Sequence, residues 1–186
     1  ILASRRADYS PALYGENWDQ LYFSTTRPQA MGNELSGITG VKMADIFFSQ
    51  KDDKGKWNKP ESVQGEVNTE YEDGACSFSP DGKTMYFTRC THDPNYPRYA
   101  IIMSSNRSDA AWSKPEEVKI SSDTLSTFAY PAVSPDGKWL YFSSDMPGGF
   151  GDYDLWKATR KSTADDFGRP VNLTSIINTR GREVFP

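Results

Sequence analysis

Polar and apolar residues alternate with a period of two over short stretches of this chain, and turn formers separate the stretches. Residues 132–144 show the pattern most clearly. After Pro135-Asp136-Gly137, Leu140 and Phe142 fall on one side and Trp139, Tyr141 and Ser143 on the other, which is the alternation of a strand. Proline presets φ for a turn and glycine tolerates a positive one, so the stretch predicts strand, tight turn, strand. A lone hairpin cannot bury its faces in water. This one has copies.

The hairpin recurs 55 residues earlier as Ser77-Phe-Ser-Pro-Asp-Gly-Lys-Thr-Met-Tyr-Phe-Thr88. Trp57, Trp112 and Phe167 keep the same 55-residue spacing, as do Pro60, Pro115 and Pro170, and Thr69, Thr124 and Thr179. A worn first copy occupies residues 10–24, where the turn lacks Pro-Asp-Gly and carries one extra residue. An internal repeat of this length dictates the architecture.

Each repeat reads as four strands. They are expected at 9–13, 20–25, 44–50 and 59–63; at 75–79, 84–89, 99–104 and 115–118; and at 131–134, 139–144, 153–158 and 170–173. The third strand is apolar each time: Ile46-Phe47-Phe48, Ile101-Ile102-Met103, Leu155-Trp156. Four short antiparallel strands per repeat describe a propeller blade. The expected fold is therefore an all-β β-propeller of three four-stranded blades plus the first strand of a fourth, part of a larger propeller. Blade one covers about 5–65, blade two about 70–120 and blade three about 125–175, with the fourth opening at about 180–186. Closed propellers have about four to eight blades, so the remaining blades are expected from the same polypeptide, including after proteolysis, or from an associated chain.

Composition narrows the function. The 186 residues are 37% hydrophobic and 25% charged, with a net charge of −4, which argues against a nucleic-acid partner. No apolar run is long enough for a membrane span, so direct membrane insertion is not expected. The absence of a starting Met and of a signal peptide predicts a piece of a longer precursor. Pairing across the Pro80-Asp81-Gly82 turn sets Cys76 opposite Phe87 and leaves Cys90 three residues further on, about 10 Å away. That exceeds the span of a disulfide, so two free thiols are expected.

Ser-Pro-Asp-Gly-Lys followed by an aliphatic-Tyr-Phe-Ser/Thr strand resembles the PD40 (WD40-like, TolB-type) β-propeller repeat. Gly148-Gly-Phe-Gly-Asp-Tyr-Asp-Leu-Trp156, and Asp8-Tyr-Ser-Pro11 with Leu21-Tyr-Phe-Ser24, resemble blades of Bacteroidetes OmpA-family envelope proteins. The resemblance implies a periplasmic, outer-membrane-associated protein with envelope proteins as partners. It also implies a larger OmpA-like, peptidoglycan-associated chain, with the type IX secretion and gliding branch as one setting.

Candidate chemistry is sparse. His92 is the only histidine, lies in a Pro-rich loop, and has no nucleophile elbow to serve. Asp45 and Asp154 occupy the same repeat position and read as loop tethers. No spaced acidic loop or Cys/His cluster appears, so neither metal nor cofactor is expected. Phe23, Phe87 and Phe142 read as core between blades, and Trp57 and Trp112 as pins for the loop that carries them. The variable loops between second and third strands are the expected binding rim, with Arg27, Tyr96, Arg98 and Phe150 as its anchors. Pro80, Asp81, Gly82, Pro135, Asp136 and Gly137 are assigned to structural turns. The sequence thus predicts a non-catalytic scaffold for protein–protein contacts. The alternative is a propeller-family enzyme or accessory domain acting on glycans or peptides.

Overall fold

The computed structural model describes residues 2–15, 17–31, 35, 42–91 and 99–186. It is all-β, with no helix among the described residues. The strands are β1 (Asp8–Tyr14), β2 (Gln20–Thr25), β3 (Asp45–Gln50), β4 (Glu61–Ser62), β5 (Glu72–Phe78), β6 (Thr84–Cys90), β7 (Ala100–Ser108), β8 (Ala111–Trp112), β9 (Glu116–Glu117), β10 (Phe128–Val133), β11 (Trp139–Ser144), β12 (Asp154–Thr159) and β13 (Val171–Asn172).

These strands form three antiparallel sheets, each a meander in chain order: β1-β2-β3-β4, β5-β6-β7 with β8 and β9, and β10-β11-β12-β13. The middle sheet departs from the expected four strands. β7 runs on to Ser108, and its far end pairs with β8 while Met103 and Ser104 pair with β9. At the C-terminus, the expected opening strand of a fourth sheet is reduced to a parallel bridge between Arg182 and Tyr153.

The repeated turn forms as its residues dictate. Ser79 Oγ donates to Asp81 Oδ1 at 2.6 Å, the Lys83 amide donates to the same oxygen, and the Gly82 amide closes on Ser79 O. Ser134, Asp136, Gly137 and Lys138 repeat every one of these bonds. Gly82 and Gly137 take φ of 65° and 70°, where glycine is unstrained. In the first hairpin Tyr14 pairs with Gln20, leaving the five-residue connection that the worn repeat implied.

Two apolar layers hold the sheets face to face. Between the first and second lie Tyr22, Ile46, Met85, Phe87 and Trp112. Between the second and third lie Tyr86, Ile102, Leu140, Phe142 and Phe167. Phe87 and Phe142 are wholly buried, each contributing about 1.5–3 kcal/mol of transfer free energy. Their counterpart Phe23 lies on the outward face of the first sheet, with Ala30 and Phe47. The loop aromatics follow the same logic: Trp112 meets Tyr22 at 6.4 Å and Phe167 meets Tyr86 at 6.0 Å. A cation caps each aromatic, Lys51 on Trp57, Arg107 on Trp112 and Arg160 on Phe167.

One feature repeats that the sequence pattern does not announce. Ser10, Ala75, Tyr130 and Phe185 hold equivalent repeat positions, and all four have positive φ, from 48° to 59°. In β1, β5 and β10 the ladder slips by one residue at this point, which is a β-bulge. The bulge swings the next sheet's amide onto its neighbour: Ala75 N donates to Ser24 Oγ at 2.9 Å, and Tyr130 N to Thr88 Oγ1 at 2.8 Å. Glu183 O accepts from Ser143 Oγ at 2.7 Å in the fourth copy. The slip also places Glu72, rather than a residue nearer Cys76, opposite Cys90. Both cysteines are free.

Candidate binding groove

β5 packs beside both β1 and β10, so the three bulged first strands lie together along an inner groove. Two cavities lie along it. The smaller, about 230 Å³, is walled by Tyr9, Glu72, Tyr99, Tyr130, Tyr153 and Phe185, among others. The larger, about 560 Å³, adjoins it through Tyr9, Ala75, Tyr130 and Phe185, and Pro11, Cys76 and Pro131 give it an apolar lining.

The smaller chamber sits where second strands end and third strands begin. Glu72, Cys90 and Ala100 are paired in one row across β5, β6 and β7 at that end. The loops between second and third strands leave the sheets at this same end. Tyr9 Oη donates to Glu72 Oε1 at 2.9 Å. Burial and the Glu72 carboxylate push the Tyr9 phenol well above its ordinary pKa, so it remains a donor. Burial likewise pushes the Cys90 thiol up to about 12, with Glu72 and Asp73 adding to it. The ring of Tyr130 meets that of Phe185 at 4.2 Å. The Arg182 guanidinium covers Tyr153 at 5.6 Å and reaches Asp152 at 3.2 Å.

The predicted rim anchors have different fates. Arg27 is turned inward and is only 8% exposed. Its guanidinium bonds Asp8 and Leu2 O at 2.9 Å each and stacks over Phe23 and Phe47. It closes the outward face of the first sheet and presents no contact surface. Phe150 is 50% exposed, and its amide is tied to Asp154. Tyr96, Arg98 and His92 lie outside the described residues.

The acidic pair acts as tethers, as their repeat position implied. Asp154 accepts from the Phe150 and Gly151 amides at 2.6 and 3.0 Å, and Asp45 accepts from the Met31 amide at 2.6 Å. Buried Asn68 and Asn178 do the same for the following loop, each bridging both backbone groups of one third-strand residue, Ile46 or Leu155. No His/Cys/Asp/Glu group suited to a metal occurs among the described residues, and no helix among them is long and apolar enough to cross a membrane.

The sheets and groove define an all-β chain of propeller-like construction. The chain is similar to the α-L-arabinofuranosidase from Lactobacillus brevis, at TM-score 0.52 and 16% identity, over 85% of this chain and 51% of that one. A putative 6-phosphogluconolactonase from Bacteroides uniformis aligns over 97% of this chain and 43% of its own, at TM-score 0.49 and 12% identity. A prolyl endopeptidase aligns over 90% of this chain and 22% of its own, at TM-score 0.49 and 17% identity. The chain thus spans about half the length of the first structure or less of the others, and the likeness is one of fold. No family model matches the sequence, and no curated protein does.

Sequence reasoning pointed to the loops between second and third strands and missed the groove. Its walls combine first-strand residues with the starts of third strands, and at the bulge position four repeats carry four different residue types. Only the 55-residue alignment of Tyr130 with Phe185, both aromatic, marked that wall.

Proposed function

We propose that this chain is an arc of a β-propeller, three blades and the opening of a fourth, acting as a non-catalytic scaffold that binds protein partners through its inner groove and the adjoining rim. The observation that carries this reading is the fourth left-handed residue. Phe185 adopts the same left-handed conformation as Ala75 and Tyr130. Glu183 N bonds Tyr153 O at 2.8 Å, just as Asp73 N bonds Ala44 O at 2.9 Å. The third sheet therefore meets the C-terminal segment as the first meets the second. Tyr141, the counterpart of buried Tyr22 and Tyr86, remains half-buried, as a surface awaiting a further blade would be.

Placement in the bacterial envelope, within a larger OmpA-like, peptidoglycan-associated protein and in the type IX secretion setting, rests on the sequence resemblance alone. The second reading is a propeller-family enzyme or accessory domain acting on glycans or peptides. Pull-down from envelope extracts, run beside a glycan and peptide turnover screen, separates the two. The scaffold reading expects a partner lost on substituting groove residues and no turnover. Turnover abolished by His92→Ala would overturn it. Light scattering tests the arc: a well-folded 20.9 kDa monomer with no second chain would contradict the need for further blades.

A further inference from the structure

We propose that the smaller chamber is a receptor for a single ammonium group, the end of a lysine-type side chain on a protein partner. The proposal rests on the groove reading above and adds the chemistry the groove selects.

Charge sets the preference. Two ionisable groups of full charge border the chamber, Glu72 and Arg182. Arg182 is already engaged, with its guanidinium on Asp152 and over the Tyr153 ring, so that pair is close to neutral. Glu72 is not: no ion pair joins it to a basic side chain among the described residues, and its recorded partner is the neutral Tyr9 hydroxyl. A carboxylate accepts at about four lone-pair sites, so one phenol leaves most of that capacity available. Among the described residues, Glu72 therefore brings the chamber a negative charge that no described cation pairs, inside an aromatic wall.

The wall is of the matching kind. Tyr9, Tyr99, Tyr130, Tyr153 and Phe185 contribute rings to it, and ring faces attract cations that have shed part of their water. Arg182 over Tyr153 at 5.6 Å shows this contact made by the chain itself. Size favours a small group at this end of the groove. At about 230 Å³ the chamber falls below the roughly 300–1,000 Å³ of pockets that enclose drug-sized molecules. It suits the end of one side chain. The adjoining apolar cavity of about 560 Å³ is placed to take the aliphatic stem or a neighbouring apolar residue. An arginine fork pairs best with both oxygens of a carboxylate, but Glu72 already accepts from Tyr9 at Oε1; a compact ammonium needs one acceptor and ring faces.

The test uses the pentapeptide Gly-Ala-Lys-Ala-Gly, capped at both ends, and the same peptide with its lysine acetylated. Backbone amide shifts are followed by NMR in the whole chain. The free-lysine peptide should shift the amides of Glu72, Thr127 and Phe185 saturably, with the acetylated peptide at least tenfold weaker. Glu72→Gln keeps an acceptor for Tyr9 and should weaken binding at least fivefold. Phe185→Leu keeps an apolar side chain and should weaken it about threefold. Equal shifts from both peptides would overturn the ammonium proposal and leave the groove reading standing. Shifts produced only by an oligosaccharide such as chitotriose would do the same. If neither peptide shifts groove amides and an envelope partner binds with the groove substituted, both readings fall.

Discussion

The amide of Tyr130 in β10 donates a 2.8 Å hydrogen bond to Thr88 Oγ1 in β6, and Tyr130 holds φ at 56° to do so. Ala75 and Ser24 make the same bond one sheet earlier. A left-handed non-glycine residue costs about 1–2 kcal/mol, which the inter-sheet bond must offset. Thr88→Val keeps the side-chain volume and removes the acceptor. It should destabilise the chain by about 1–3 kcal/mol, the cost of stranding a part-buried amide. Urea unfolding of the variant measures this, and an unchanged midpoint would show that the amide has another acceptor.

Trp112 and Trp57 are equivalents in sequence but not in environment. Trp112 is packed between two sheets against Tyr22, while Trp57 is half-buried on the outward face. Trp112→Ala should cost about 3–5 kcal/mol and Trp57→Ala clearly less. Equal losses by thermal melting would mean that the first sheet's outward face is covered as closely as the inner layers.

The strands read best where the alternation is longest and a turn fixes the register. Residues 20–25 and 139–144 are strands with those very bounds. Fourth strands shrink to two residues, each following a proline, Pro60, Pro115 or Pro170, which cannot donate to the ladder. The bulge was illegible, since Ser10, Ala75, Tyr130 and Phe185 have no shared preference for positive φ. That one slip shifts the partner of Cys90 by a residue, to Glu72, leaves the expectation of two free thiols intact, and concealed the groove. Arg27 misled for a related reason. A loop arginine reads as an interface anchor, and only the fold shows Asp8, Phe23 and Phe47 converging on it.

Both thiols should be inert in the native protein. Burial pushes Cys76 and Cys90 each up to about 12, and the thiolate is the reactive form. A chromogenic disulfide reagent at pH 8 should label neither cysteine rapidly and both after unfolding, without reductant. Two thiols appearing only after reduction would show that they are bonded.

Gly82 should tolerate alanine poorly. Its φ is 65°, and a Cβ there would come within 1.8 Å of Tyr14 Oη, so strain adds to displacement of the tyrosine. About 1–2 kcal/mol should be lost from the strain alone. Gly55 has φ of 74° with nothing within 4 Å and should lose only the strain component. Chemical denaturation of the two variants side by side checks the difference.

Stability should peak on the acid side of neutrality. Burial pushes the Asp45 carboxyl up to about 6, with Asp73 adding to the rise and the Met31 amide and Lys42 opposing it. One of its oxygens, Oδ1, has no hydrogen-bond partner among the described residues. Burial also pushes Asp73 up to about 6, against Arg89 and Thr69. Both groups hold protons more tightly folded than unfolded, where the value is about 3.9. Their favourable contribution is complete below about pH 4 and disappears as pH rises through about 6. Asp8 runs the other way. Burial would raise it, but hydrogen bonds from Thr25, Arg27 and Ser4 hold it at about 2, so its contribution is present above about pH 4 and lost toward pH 2. The melting temperature should therefore rise from pH 7.5 to about 5 and fall below about 3.5. Asp45→Asn keeps an acceptor for the Met31 amide and removes the ionisation. The variant should lose about 1–1.5 kcal/mol of the stability difference between pH 7.5 and 5. Calorimetry at both values decides it, and an unaltered slope would clear Asp45 as the source.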